Sequence, residues 1–213
     1  NSATITDNNA NNSGEIATFE LAPAEFRINP SVADEQSLPE VAGNGAGRAL
    51  HVFVHGGYWR AFDKSDYSFI AQPIVDAGAV AVVANYGLMP AVSMAQLIAQ
   101  CRALVLWDLA NATRYGLDPR RISLSGHSAG GHIAACTALA PGLEAEGEDT
   151  AIASKPNALV LFNPVLRFDG IPQLMAIIGN DEALGKAISP TLHLKKDSPP
   201  TLIFFGTADR LKA

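Results

Sequence analysis

The chain has little of what marks several large classes of protein. Only two cysteines occur in 213 residues, Cys101 and Cys136, too few for a disulfide framework and not spaced as metal ligands. Both fall in expected helices and read as buried free thiols. No run of eighteen apolar residues occurs, so no membrane-spanning helix is expected. Basic residues are outnumbered, with 15 Lys and Arg against 21 Asp and Glu. That balance argues against nucleic acid or an anionic membrane as the main partner. No secretory leader is visible, and with free thiols the expected location is cytoplasmic, secretion being the alternative. Histidine is scarce as well: there are five, and none lies beyond His193.

What the chain has is apolar residues, 48% of the total, enough to bury one sizeable core. Residues 1–15 are rich in Asn and Ser and are expected to be disordered or tag-like, leaving residues 16–213 as a single domain. Phe19 to Ile28 is expected to hold an edge strand, and Gly43 to Gly47 a turn-rich linker. Strands are then expected over 50–54, 79–84, 121–125, 158–162 and 201–205. Helices are expected near 66–77, 92–115 and 131–140, the second amphipathic through Leu97, Cys101, Leu104, Val105 and Trp107. Residues 141–157 read as a surface connection, and the Pro-punctuated stretch 165–199 as a small cap. Continuous apolar strands alternating with helices imply an α/β fold, doubly wound, with a mostly parallel sheet covered on both faces.

Two motifs sit at strand ends. Gly126-His127-Ser128-Ala129-Gly130 lies between the strand at 121–125 and a small-residue helix. A strand–G-x-S-x-G–helix unit is a nucleophile elbow, whose sharp turn lifts the Ser hydroxyl clear of the sheet; a plain Gly-rich turn is the alternative. His55-Gly56-Gly57-Tyr58-Trp59 follows the strand at 50–54. An HGG-type loop there supplies backbone N–H groups to an oxyanion hole, which the amide after the nucleophile completes. Gly57, Tyr58 and Ala129 are therefore the candidate oxyanion donors. His55 reads as a brace for the loop, and Trp59 and His127 as candidates for the substrate pocket. A third stretch, Gly206-Thr207-Ala208-Asp209, places a carboxylate after the apolar run 201–205. Asp209 is the candidate catalytic acid, and Asp169, beyond the strand at 158–162, the runner-up.

With these motifs the chain resembles the α/β-hydrolase fold from about residue 48 to 213. Within it, His55-Gly56-Gly57-Tyr58-Trp59, Ala61-Phe62-Asp63-Lys64-Ser65 and Gly126-His127-Ser128-Ala129-Gly130-Gly131-His132 are similar to kynurenine formamidase-like proteins and small carbohydrate-ester esterases. The resemblance implies a serine hydrolase acting on a carboxylic ester or an aryl formamide. Ser128 and Asp209 would be catalytic, with no metal and no organic cofactor. The order of such a triad is Ser, acid, His, and no histidine follows Asp209. His193 precedes the acid, while His127 and His132 flank the elbow in positions that do not normally present an imidazole to the Ser. The expectation is therefore a C-terminally truncated hydrolase domain, associated with a missing C-terminal segment that carries the histidine. A homodimer is possible on the same reading. The reading from another class is a catalytically inactive binding or scaffold protein on a hydrolase fold.

Overall fold

In the computed structural model, which describes residues 16–19, 47–144 and 154–209, the strands are β1 (Ile16–Phe19), β2 (Arg48–Val54), β3 (Val80–Ala84), β4 (Leu117–His127), β5 (Ala158–Phe162) and β6 (Thr201–Phe204). They form one sheet in the order β1-β3-β2-β4-β5-β6, and every neighbouring pair is parallel. The α/β architecture follows from side-chain alternation. Leu50, Val52 and Val54 share one face with Ile122, Leu124, Leu159 and Leu161, packed beneath α2 (Met94–Asn111) and α3 (Ala129–Leu139). Phe53, Ala81 and Val83 point the other way, against Ala71 of α1 (Ala71–Asp76). β3 is buried along its whole length, as expected of a strand covered on both sides.

Several expected boundaries shift. The helix expected over 66–77 is a 3-10 turn, Lys64–Ile70, running into α1. α2 is capped by Ser93, whose hydroxyl accepts from the Gln96 amide while the Gln96 side chain returns to the Ser93 amide, a reciprocal capping box. It ends at Asn111, and a 3-10 turn closes on Gly116 with φ 65°. β4 begins at Leu117, four residues before the expected strand. The predictions for residues 1–15, for an edge strand beyond Phe19 and for the Gly43 linker fall outside the described residues, as do positions 145–153.

The topology fixes where a site can be. From β2 the chain moves to β3 on one side, then crosses to β4 on the other. The carboxyl ends of β2 and β4 thus flank a switch point, where open α/β sheets leave a crevice. Val54 pairs with Gly126 there, bringing the two glycine motifs side by side. At the far edge, β6 is exposed along its length: Leu202 is 53% and Phe204 46% accessible. Phe204 stacks on Phe162 with ring centroids 5.2 Å apart. Among the described residues, no helix is long and apolar enough to cross a membrane.

Candidate active site

Ser128 alone makes the turn between β4 and α3, with φ 54° and ψ −116°. A non-glycine residue held there stores roughly 1–3 kcal/mol of strain. The turn is clamped on both sides: the Ser128 amide donates to the Phe162 carbonyl at 2.9 Å, and the His132 amide donates to the Ser128 carbonyl at 3.0 Å. The flanking glycines serve close approach. A Cβ on Gly130 would sit 2.1 Å from the Val54 carbonyl oxygen, and one on Gly126 would sit 2.4 Å from the Gly130 backbone. Only glycine lets α3 start so near the end of β2, and the positive φ falls on the serine itself.

The loop after β2 is equally constrained. Gly57, Tyr58 and Trp59 have φ of 117°, 53° and 61°, and the amides of Arg60 and Ala61 both donate to the Gly57 carbonyl at 3.0 Å. His55 is fully buried and stacks on Tyr86 at 4.4 Å. Its Nδ1 lies 2.7 Å from the Gly56 carbonyl and its Nε2 lies 3.2 Å from Asn85 Oδ1. Asn85 in turn donates to Asp63 at 2.7 Å. Burial holds the His55 pKa below its ordinary value against these hydrogen bonds. The result is a loop whose Gly57 and Tyr58 amides, with that of Ala129, have no hydrogen-bond partner among the described residues. Ala129 is the first residue of α3, so its N–H is one of the orphan donors at a helix start.

Trp59 and His132 tie this loop to α3. The Trp59 Nε1–H donates to His132 Nδ1 at 3.2 Å, and His132 Nε2 faces the Ile188 carbonyl at 2.8 Å. An indole can only donate, so His132 is neutral with its proton on Nε2. Complete burial holds its pKa down to about 4. Because the folded pKa lies below the unfolded value near 6.5, the unfolded chain binds the proton first as the pH falls. Stability is therefore complete above about pH 6.5 and is lost progressively towards pH 4, by about 3 kcal/mol. Thermal melts across that range should show a steeper decline for the native protein than for a His132→Asn variant. Parallel slopes would remove His132 from the acid response.

Asp209 lies half-buried in the loop after β6. The Asn163 side-chain amide donates to its Oδ2, and the Asn163 backbone N–H donates to the Phe204 carbonyl at 2.7 Å. Asn163 has φ 46°, so a strained turn at the end of β5 aims an amide at the carboxylate. Sequence reasoning passed over this residue. Asp169, the runner-up acid, is bound to Arg167 at 3.3 Å.

A cavity of about 780 Å³ opens above Ser128. Tyr58, Trp59, Ser128, Ala129 and Phe205 form its floor and sides, and Pro164 to Thr191 supplies the rest. That segment carries α4 (Pro172–Met175) and α5 (Glu182–Ala187). Of the two residues expected at a substrate pocket, Trp59 lines this cavity and His127 does not. His127 instead lies beside Gly56, with Nδ1 3.4 Å from the Tyr67 hydroxyl. Ser128, Ala129, Tyr58 and Trp59 are thus brought together, with Gly57 adjoining them.

None of the five histidines hydrogen-bonds the Ser128 hydroxyl. His51 is held between Ser123 and Ser125, both at 2.7 Å. His193 Nε2 lies 2.9 Å from the Ala187 carbonyl, and His55, His127 and His132 are placed as above. Among the described residues, no group of three or more His, Cys, Asp or Glu side chains could hold a metal ion.

Comparison with known proteins agrees with this fold. The BD-FAE family model matches residues 38–212. Thermogutta terrifontis esterase 2, in a structure phosphoramylated by tabun, superposes with a TM-score of 0.71 at 35% identity, covering 80% of this chain and 64% of that one. Kynurenine formamidase of Danio rerio is 35% identical over 86 residues, 40% of this chain and 28% of the relative. Esterase LipQ of Mycobacterium tuberculosis is 28% identical over 171 residues, 73% of this chain and 41% of the relative. The chain thus spans less than half the length of either sequence relative.

Proposed function

We propose, from the premise that this chain belongs to the BD-FAE family of α/β-hydrolase esterases, that it hydrolyses a carboxylic ester through an acyl-enzyme on Ser128. The observation that carries the reading is a strained serine at a cavity that Tyr58 and Ala129 also line, their amides, like that of the adjoining Gly57, having no hydrogen-bond partner among the described residues. Ser128 Oγ attacks the substrate carbonyl, and the amides hold the oxyanion of the tetrahedral intermediate. Each such donor is commonly worth about 3–4 kcal/mol in the transition state. Collapse expels the alcohol, and water then releases the acid. Serine is a weak nucleophile without a base. Since the five histidines are engaged elsewhere, the reading places the base on a histidine outside residues 1–213, oriented by Asp209. An aryl formamide is the second substrate class, favoured by the likeness to kynurenine formamidase over 86 residues; its acyl-enzyme is a formyl ester.

A fluorophosphonate probe tests the assignment directly. The intact protein should be labelled at one site, and peptide mass mapping should find the adduct on Ser128. The esterase 2 neighbour modified by tabun makes that chemistry a fitting choice. An unmodified Ser128 in folded protein would favour the inactive scaffold.

A further inference from the structure

Among the described residues, Arg167 is the one charged side chain lining the cavity above Ser128, and it is built into place. Its Nε donates to the Asp169 carbonyl at 3.1 Å and its Nη2 to Asp169 Oδ2 at 3.3 Å. The Asp169 backbone is fixed in turn: its amide donates to Ser189 Oγ at 3.0 Å, as does that of Phe168 at 2.9 Å. Ser189 is fully buried and donates to the Gly185 carbonyl at 2.7 Å. Two faces of the guanidinium are thus spent on anchoring, while Nη1 has no partner among the described residues. Asp169, its counter-charge, does not line the cavity. Most of the remaining lining is apolar, Leu166, Ile171, Leu174 and Ile177 among it, with Gln173 and Thr191 as further polar side chains.

From this arrangement we infer that the substrate is an ester whose far end is a carboxylate, separated from the scissile carbonyl by an apolar stretch, with Arg167 as the carboxylate's receptor. The inference rests on the hydrolase reading above and deepens it. An aliphatic or aromatic spacer buries itself against the aliphatic lining, and a terminal carboxylate meets a guanidinium of opposite charge that Asp169 holds in place. A substrate ending in methyl groups would leave the guanidinium facing carbon. Nothing new is asked of the covalent steps, since the far carboxylate takes no part in bond making or breaking. Arg167 is half exposed, so the preference is tempered by solvent and falls as salt is raised.

The test is a matched pair of p-nitrophenyl esters given to the intact protein: the monoester of adipic acid, and an ester of equal length whose terminal carboxylate oxygens are replaced by methyl groups. The native protein should favour the adipate monoester in kcat/KM by about tenfold or more at low salt. Arg167→Met, which keeps an unbranched stem, should collapse that ratio to near one, mainly through KM of the anionic ester. Hydrolysis of both esters with no preference, or a preference that survives Arg167→Met, would overturn the carboxylate assignment while leaving Ser128 as the nucleophile. Turnover of neither ester together with an unlabelled Ser128 would overturn the hydrolase reading, and this inference with it.

Discussion

Ser128→Ala in the intact protein is expected to lower kcat for p-nitrophenyl acetate by about 10⁶, the scale seen when a serine hydrolase loses its nucleophile. The fold should survive. The hydroxyl makes no hydrogen bond among the described residues, and the two clamps on the turn come from backbone atoms. Alanine meets the same backbone strain at φ 54° as serine does, so the melting temperature should move little. The comparison needs kcat and a thermal melt on the same preparation. Turnover retained in a folded variant would take Ser128 out of the mechanism.

Asp209→Asn should cost kcat about 10⁴. The carboxylate accepts from Asn163 on one oxygen and, on the proposed mechanism, receives an imidazole N–H on the other. It thereby fixes the tautomer that leaves a lone pair for the Ser hydroxyl, and it stabilises the imidazolium as it forms. An amide at this position retains shape but loses the charge, and can hold the ring in the wrong tautomer. Raising the pH should not restore the rate, since the missing charge does not titrate back. Loss of activity on Asp169→Asn in place of Asp209→Asn would make Asp169 the acid, contrary to its pairing with Arg167.

The reach of the sequence was set by how local each signal is. Gly126, Ser128 and Gly130 stand within five residues, so the motif was readable, although the contact that demands glycine at Gly130 comes from Val54 on β2. The loop from His55 to Trp59 was readable for the same reason. Asn163 was not: it meets Asp209 across 46 positions, and its positive φ has no counterpart in the apolar run before it. His127 read as a pocket residue because it adjoins Ser128. Alternation along β4 instead sends neighbouring side chains to opposite sides, and it turns towards Tyr67. The early start of β4 was hidden by Gly116-Leu117-Asp118-Pro119, which reads as a helix stop. Asp118 does form a local turn, accepting from the Arg120 amide at 2.9 Å, yet Leu117 already pairs with Arg48 on β2. The 3-10 turn at Lys64–Ile70 was likewise masked by helical spacing, although Asp63 caps it at Ser65 and Asp66.

The cavity is assembled from two sources that differ in how they are held. Ser128, Ala129 and Tyr58 stand at the ends of central strands, where any shift must disturb the sheet. Leu166, Arg167, Ile171, Leu174 and Ile177 belong to one continuous excursion of the chain between β5 and β6. Such an excursion can change in length and lining without altering the register of a single strand. On the proposed mechanism, reaction type and substrate choice therefore rest on separate parts of the chain. Grafting the residues between Pro164 and Thr191 from one relative onto another should transplant preference while the underlying turnover chemistry stays with the host.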